Sequence, residues 1–137
     1  MTAEAIVQKM MDKDAFSQLM QIKVVEIKAG YCQLQLEILP FMVNGFLIAH
    51  GGITYSLSDS ALAFASNAYG KQCVSIETSI SHTRPAKIGD LLTATCTELN
   101  RGRTIGIYQV IVNNQEGKKV AIFKGTVHIS DKNWGEQ

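Results

Sequence analysis

Between Tyr31 and Ile38 the chain alternates strictly, with Cys32, Leu34, Leu36 and Ile38 on one side and Gln33, Gln35 and Glu37 on the other. A period of two is that of a strand with one buried face. The preceding "IKVVEI", across Ala29-Gly30, supplies a partner, so residues 22–38 predict a hairpin with one dry face. Residues 3 to about 20 have helix-forming composition, with Ile6, Met10, Met11, Leu19 and Met20 as an apolar stripe and Asp12 to Asp14 as a place where it breaks. "LPFMVNGFLIA" is too apolar for a linker and predicts a packed loop. A helix is expected over 51–69, closed by Gly70 in the position that favours a left-handed C-cap. Strands are expected over about 72–83, 90–100, 103–113 and 118–130, separated by the turn signals "KIGD", "NRGR" and "NQEG".

The helix at 51–69 is unusual in being small-sided nearly all round: Ser58, Ser60, Ala61, Ala63, Ala65, Ser66 and Ala68 leave little bulk on any face. Such a helix is a buried one, and small residues let a curved sheet approach its axis. The fold predicted is therefore α+β: an antiparallel sheet of five or six strands wrapped around one long central helix, with an N-terminal helix beside it. One domain, residues 1–137, accommodates all of this, and no repeat or linker divides the chain. The open edges of such a sheet favour a homo-oligomer formed by sheet extension.

Thirteen basic against twelve acidic residues give a net charge of +1, so no global field favours nucleic acid or an anionic membrane. No apolar run has the length of a transmembrane span, and Glu4, Asp12 and Asp14 fall within the first twenty residues, unlike a signal peptide. Cytoplasmic location is the default expectation. Cys32, Cys73 and Cys96 are odd in number, lie in apolar strand contexts and show no CxxC or Cys/His spacing, so buried free thiols are expected, with a metal site the lesser alternative.

The stretch "HGGITYSLSDSALAFASNAYG", His50 to Gly70, carries the candidate chemistry. Gly51 and Gly52 open the helix, where backbone amides lack intrahelical acceptors and sit at the positive end of the dipole. Without a Cβ, an acyl carbonyl can come close to those amides, and such a donor stabilises the oxyanion of an attacked thioester. The alternative is that both glycines serve only a tight turn; His50 and Asn44, polar groups in an apolar loop, favour chemistry. Asp59 lies among Leu57, Ala61, Leu62 and Phe64. Desolvation there would raise its proton affinity and suit it to act as a general base or nucleophile, unless it faces solvent or caps a neighbouring strand. Gly51 and Asp59 are eight residues apart, roughly 12 Å along a helix. A carbonyl must lie about 3 Å from its donor and about 3 to 3.5 Å from the attacking atom. One helix cannot easily serve both ends of that reaction, which points to a site shared between two subunits.

The ordered set "NGFLIAHGGITYSLSDSALAFASNAYG", "VSIETSISHTRPAKIGD" and "NRGRTIGIYQVIV" resembles the hotdog-fold acyl-CoA thioesterases, most closely the phenylacetate-degradation, PaaI-type branch, over about residues 20–130. The resemblance implies hydrolysis of an acyl-CoA to a free acid and coenzyme A, sites lying between subunits, dimers or tetramers, and no metal or redox cofactor. It assigns Asn44, His50 and Gly51 of one chain to positioning and polarising the thioester, with Gly52 beside them, and Asp59 and Ser75 of another to the attack. Ser75 matches a position that orients the attacking water, although a structural strand serine reads equally well. Arg84 and Lys87, and Arg101 and Arg103, form two basic turns that would meet the coenzyme A phosphates if they lie near the helix N-terminus. Phe41, Met42 and Phe46 are expected to help form an acyl pocket for an aromatic or medium-chain group. His82 and His128 receive no role. Two other readings remain: a dehydratase of this fold, for which a histidine pattern beyond His50 is lacking, and an acyl-CoA-binding protein without hydrolysis, which would not need Asp59.

Overall fold

The computed structural model describes residues 1–135. In order along the chain, it contains α1 (Ala3–Met11), α2 (Ala15–Leu19), β1 (Lys23–Lys28), β2 (Tyr31–Glu37), a short 3-10 turn (Pro40–Met42), α3 (Gly51–Asn67), β3 (Lys71–His82), β4 (Leu91–Arg101), β5 (Ile105–Asn113) and β6 (Lys119–Asn133). The six strands form one antiparallel sheet in the order β1-β2-β4-β5-β6-β3. The sheet wraps α3 as the small-residue pattern predicts.

The alternation in β2 sets the register. Cys32, Leu34 and Leu36 face Cys96, Ala94 and Leu92 of β4 across the ladder, and all six are fully buried. Tyr108, Val110 and Val112 of β5 continue that inner face, and Leu57, Ala61, Leu62, Phe64 and Ala65 of α3 fill the concavity. Each large side chain buried in this way contributes about 1.5 to 3 kcal/mol. The outer face is polar, with Gln33 and Gln35 donating to Thr95 and Thr93. All three cysteines are buried and free, as expected. Burial pushes the Cys96 thiol up to about 12, so it is inert at neutral pH.

The N-terminal helix expected over 3–20 is two helices, parted at the Asp12 to Asp14 run. Asp14 breaks it by serving as the N-cap of α2, where its carboxylate accepts from the Ser17 amide at 2.9 Å and the Ser17 hydroxyl at 2.7 Å. Helix α3 ends at Asn67, two residues short of expectation, because the Asn67 side chain turns back to bond Ala63 O and both backbone groups of Cys73. Gly70 follows with φ +119°.

The two edges of the sheet differ. Strand β1 is short, bulged between Val24 and Glu26, and carries Lys23, Glu26 and Lys28. Strand β3 is twelve residues long and pairs only with β6, leaving Val74 and Ile76 65% and 58% exposed. Among the described residues, no helix is long and apolar enough to cross a membrane.

Candidate active site

The loop before α3 is held rigidly at both ends. Ala49 donates to Ala86 O at 2.7 Å and His50 to Met42 O at 2.8 Å. Asn44 folds the loop tip, its Oδ1 accepting from Phe46 N at 2.9 Å, which leaves the side-chain NH2 as a free-standing donor. His50 is the N-cap of α3: its Nδ1 accepts from the Gly52 amide at 2.9 Å, which puts the proton of the neutral ring on Nε2. Of the two glycine amides expected to serve as oxyanion donors, that of Gly52 is thus consumed by the cap. A Cβ at Gly52 would sit 3.0 Å from His50 Nδ1, so the glycine there makes room for the cap, and Gly51 is the amide left for a ligand.

Gly51 lines a cleft of about 370 Å³ together with Asn44, Ile48, Thr54, His82 and Arg84. Strand β3 reaches this cleft at its end: the His82 Nε2 lies 2.7 Å from Thr54 Oγ1, and the Thr54 hydroxyl donates to Gly51 O at 3.1 Å. Arg84 sits in the turn closed by Asp90, whose carboxylate takes the Lys87 amide and the Gln115 side chain, each at 2.9 Å. Burial works to raise the Asp90 proton affinity, but those two bonds and the Lys87 charge outweigh it and hold the carboxyl below its usual range.

Asp59 faces a different cleft, about 240 Å³, with Leu62, Ala63, Ser66, Cys73, Ser75 and Val127. Half-buried, it has its proton affinity raised first by desolvation and then by Asp14 of α2, whose carboxylate reaches α3 through Ser17 and Ser60 (Oγ to Oγ, 2.9 Å). The fold thus brings Asp59 beside Ser75, and Gly51 beside Asn44, with His50 capping the same turn. The two sets line separate clefts of one chain.

The single chain does not bring every expected residue to these two clefts. Phe46 is 85% exposed and Phe41 is also exposed, and neither lines the Gly51 or the Asp59 cleft, while Met42 is in the core. The Arg101 turn lies at the C-terminal end of α3, opposite Gly51. Arg101 donates to Ser66 O at 3.2 Å and to Tyr108 Oη at 2.8 Å, with its guanidinium 3.9 Å above the Tyr69 ring, and Glu98 accepts from both tyrosines. Arg103 is exposed in the same turn and lines neither cleft. Sequence reasoning missed Thr54 and His82, which lie 28 positions apart and meet only through the sheet's wrap around α3.

Residues 46–121 match the model of the thioesterase superfamily. The acyl-coenzyme A thioesterase PaaI of Escherichia coli is 34% identical over 119 residues, 87% of this chain and 85% of that protein. The structure of the E. coli PaaI protein from the phenylacetic acid degradation operon superposes with a TM-score of 0.93 at 31% identity, covering 96% of this chain and 95% of that one. A Streptococcus mutans protein solved with acetyl-CoA bound is 27% identical, with a TM-score of 0.79 over 82% of this chain and 90% of its own.

Proposed function

The chain belongs to the thioesterase superfamily, in its PaaI-type hotdog branch, and from that premise we propose that it hydrolyses acyl-CoA thioesters at sites shared between two copies. The observation that carries the reading is the division of the chemistry: one chain's donor cleft holds Asn44, Gly51 and Arg84, and its base cleft holds Asp59 and Ser75. Neither cleft suffices for hydrolysis. A second copy paired along the exposed β3 edge, which itself carries Ser75, would bring a donor cleft to a base cleft.

In this arrangement the thioester oxygen accepts from the Gly51 amide at the positive end of α3. The partner's Asp59, made more basic by its half-buried setting, takes a proton from a water held by the partner's Ser75. The water oxygen attacks the carbonyl carbon, the oxyanion collapses, the C–S bond breaks, and the thiolate leaves with the proton from Asp59. The acyl group lies along the Asp59 cleft against Ala63 and Val74, an apolar setting suited to an aromatic or medium-chain acid. Arg84, which lines the donor cleft, is assigned in this reading to the coenzyme A phosphates. No metal or redox cofactor takes part.

The test is a panel of acyl-CoAs incubated with the protein and a thiol reagent. Release of free thiol, fastest with phenylacetyl-type or medium-chain esters and at least about a hundredfold slower in Asp59→Asn, supports the reading. Tight binding without thiol release, or hydration change without it, overturns it in favour of a binding protein or a dehydratase.

A further inference from the structure

His82 lies in the donor cleft and has no part in the steps above. It is the last residue of β3, exposed, at the end of an edge strand where an imidazole is ordinarily left to solvent. Here the ring is held. Its Nε2 lies 2.7 Å from Thr54 Oγ1, and its Cε1 lies 3.3 Å from the point where a Gly51 side chain would begin. A Cβ at Gly51 would press on the imidazole, which covers that side of the residue.

A threonine hydroxyl has one proton, and that of buried Thr54 lies within reach of Gly51 O at 3.1 Å and of His82 Nε2 at 2.7 Å. A His82 ring protonated on Nε2 satisfies both contacts at once, as a directed chain from His82 Nε2–H to Thr54 Oγ1–H to Gly51 O, whereas the Nδ1–H tautomer would take the Thr54 proton and leave Gly51 O without it. A second tie runs in parallel between the Tyr55 and Thr78 hydroxyls, also joining the first turns of α3 to β3.

We propose that His82 is a positioning residue for the oxyanion donor, holding the Gly51 residue, through Thr54 and through direct ring contact, in the orientation that its amide needs to meet a thioester oxygen. The proposal rests on the thioesterase reading and adds to it a hold on the carbonyl side and the open flank of Gly51. A glycine at the first helical position has wide backbone freedom, whereas a catalytic donor must be held within about 10 to 20° of its productive direction. The Gly51 amide shares its peptide plane with His50 O, which accepts from Ile53 N at 2.9 Å, while the His50 cap and Thr54 hold the next plane, so that the backbone torsions of Gly51 are set from both sides. The His82–Thr54 chain grips Gly51 from its carbonyl side and its open flank, and it anchors the donor to the same strand that carries Ser75.

The test uses the whole protein with three substitutions. His82→Phe keeps a ring against Gly51 but has no donor. His82→Gln returns an N–H at a reach similar to Nε2. Thr54→Val removes the relay while keeping the shape. With an acyl-CoA that the wild type hydrolyses, His82→Phe is expected to lower kcat about tenfold to a hundredfold, with KM within about twofold, because a misdirected donor is felt mainly in the transition state. His82→Gln should recover most of that loss, and adding His82→Phe to Thr54→Val should change kcat less than about twofold. Imidazole nitrogen resonances, assigned by their loss in His82→Phe, should show the Nε2–H tautomer in the wild type and shift in Thr54→Val. A wild-type kcat in His82→Phe, a His82→Gln as slow as His82→Phe, or effects that multiply in the double variant would each overturn the proposal while leaving the thioesterase reading intact. A wild type that releases no thiol from any acyl-CoA would instead remove the reading on which it rests, whatever the tautomer.

Discussion

If the donor and base clefts of one chain serve different sites, two dead variants should revive each other. Asp59→Asn removes the base but leaves the donor cleft untouched. Gly51→Val places a branched side chain where a Cβ alone would lie 3.3 Å from His82 Cε1 and 3.7 Å from Nε2, closing the donor cleft but sparing Asp59. The eight residues between them span roughly 12 Å of helix. That is too far for one carbonyl, which must touch donor and attacking atom within about 3 to 3.5 Å of each. In a two-fold dimer each site takes one donor half and one base half, so a heterodimer of the two variants has one intact site and one doubly damaged one. Random remixing at equal amounts makes about half the dimers heterodimers, each with half its sites working, so about a quarter of wild-type activity per chain should return. The assay mixes differently tagged variants, lets them exchange subunits, isolates the doubly tagged species and measures thiol release from the best acyl-CoA. Purified heterodimers should then approach half the wild-type rate. Heterodimers as inactive as either parent would refute the reasoning and require one chain to bring Gly51 and Asp59 to the same carbonyl.

Asp59→Asn should also stabilise the fold at pH 7. The raised proton affinity means that the ionised carboxylate is a cost above its folded midpoint, and the gain in the variant should fade as pH falls through that midpoint towards about 3.9, as followed by thermal melts. For the same reason the acid limb of turnover should lie above the ordinary aspartate range and move down in Asp14→Asn, which removes the neighbouring charge; an unmoved limb would dismiss Asp14's influence. Arg101→Ala should cost about 1 to 2 kcal/mol in denaturant melts while leaving KM for CoA esters within about twofold, whereas Arg84→Ala should raise that KM and spare short pantetheine esters. Gly125→Ala should cost about 1 to 3 kcal/mol, since its Cβ would overlap Cδ2 of the buried Leu62; a melt matching the wild type would mean that Leu62 has room to move.

The chain displays some of this openly and hides the rest. The alternation of Cys32, Leu34 and Leu36 and the small-residue run of α3 announce a curved sheet closed over a helix, because burial acts on each element's own period. Strand β3 alternates in sequence, with Val74, Ile76 and Ile80 between polar residues, but its burial does not follow: it is an edge, bulged between Lys71 and Cys73 and again between Ser75 and Glu77, and most of it is exposed. The break at Asp14 is visible as a run of charge, but its use as a cap depends on Ser17 lying three residues on. The separation of Gly51 and Asp59 into two clefts follows from position along one helix, which sequence does supply. Which end of that helix each arginine turn reaches does not, since Arg101 meets Ser66 only because β4 and β5 run antiparallel across α3. His82 and Thr54 are hidden for the same reason: strand-end geometry, not spacing, joins them.

The contrast between the two sheet edges bears on how this protein survives dilution. Strand β1 is short, kinked and charged, a surface on which another strand cannot easily settle. Strand β3 offers twelve residues of open backbone with Val74 and Ile76 on display, and a lone chain bearing it is a template for any extended segment it meets. With a second copy on β3, the apparent melting temperature must climb with protein concentration, because mass action sets how often that edge is bare. A scarce chain would then lose the pairing of its two clefts and its protection from aggregation in the same event.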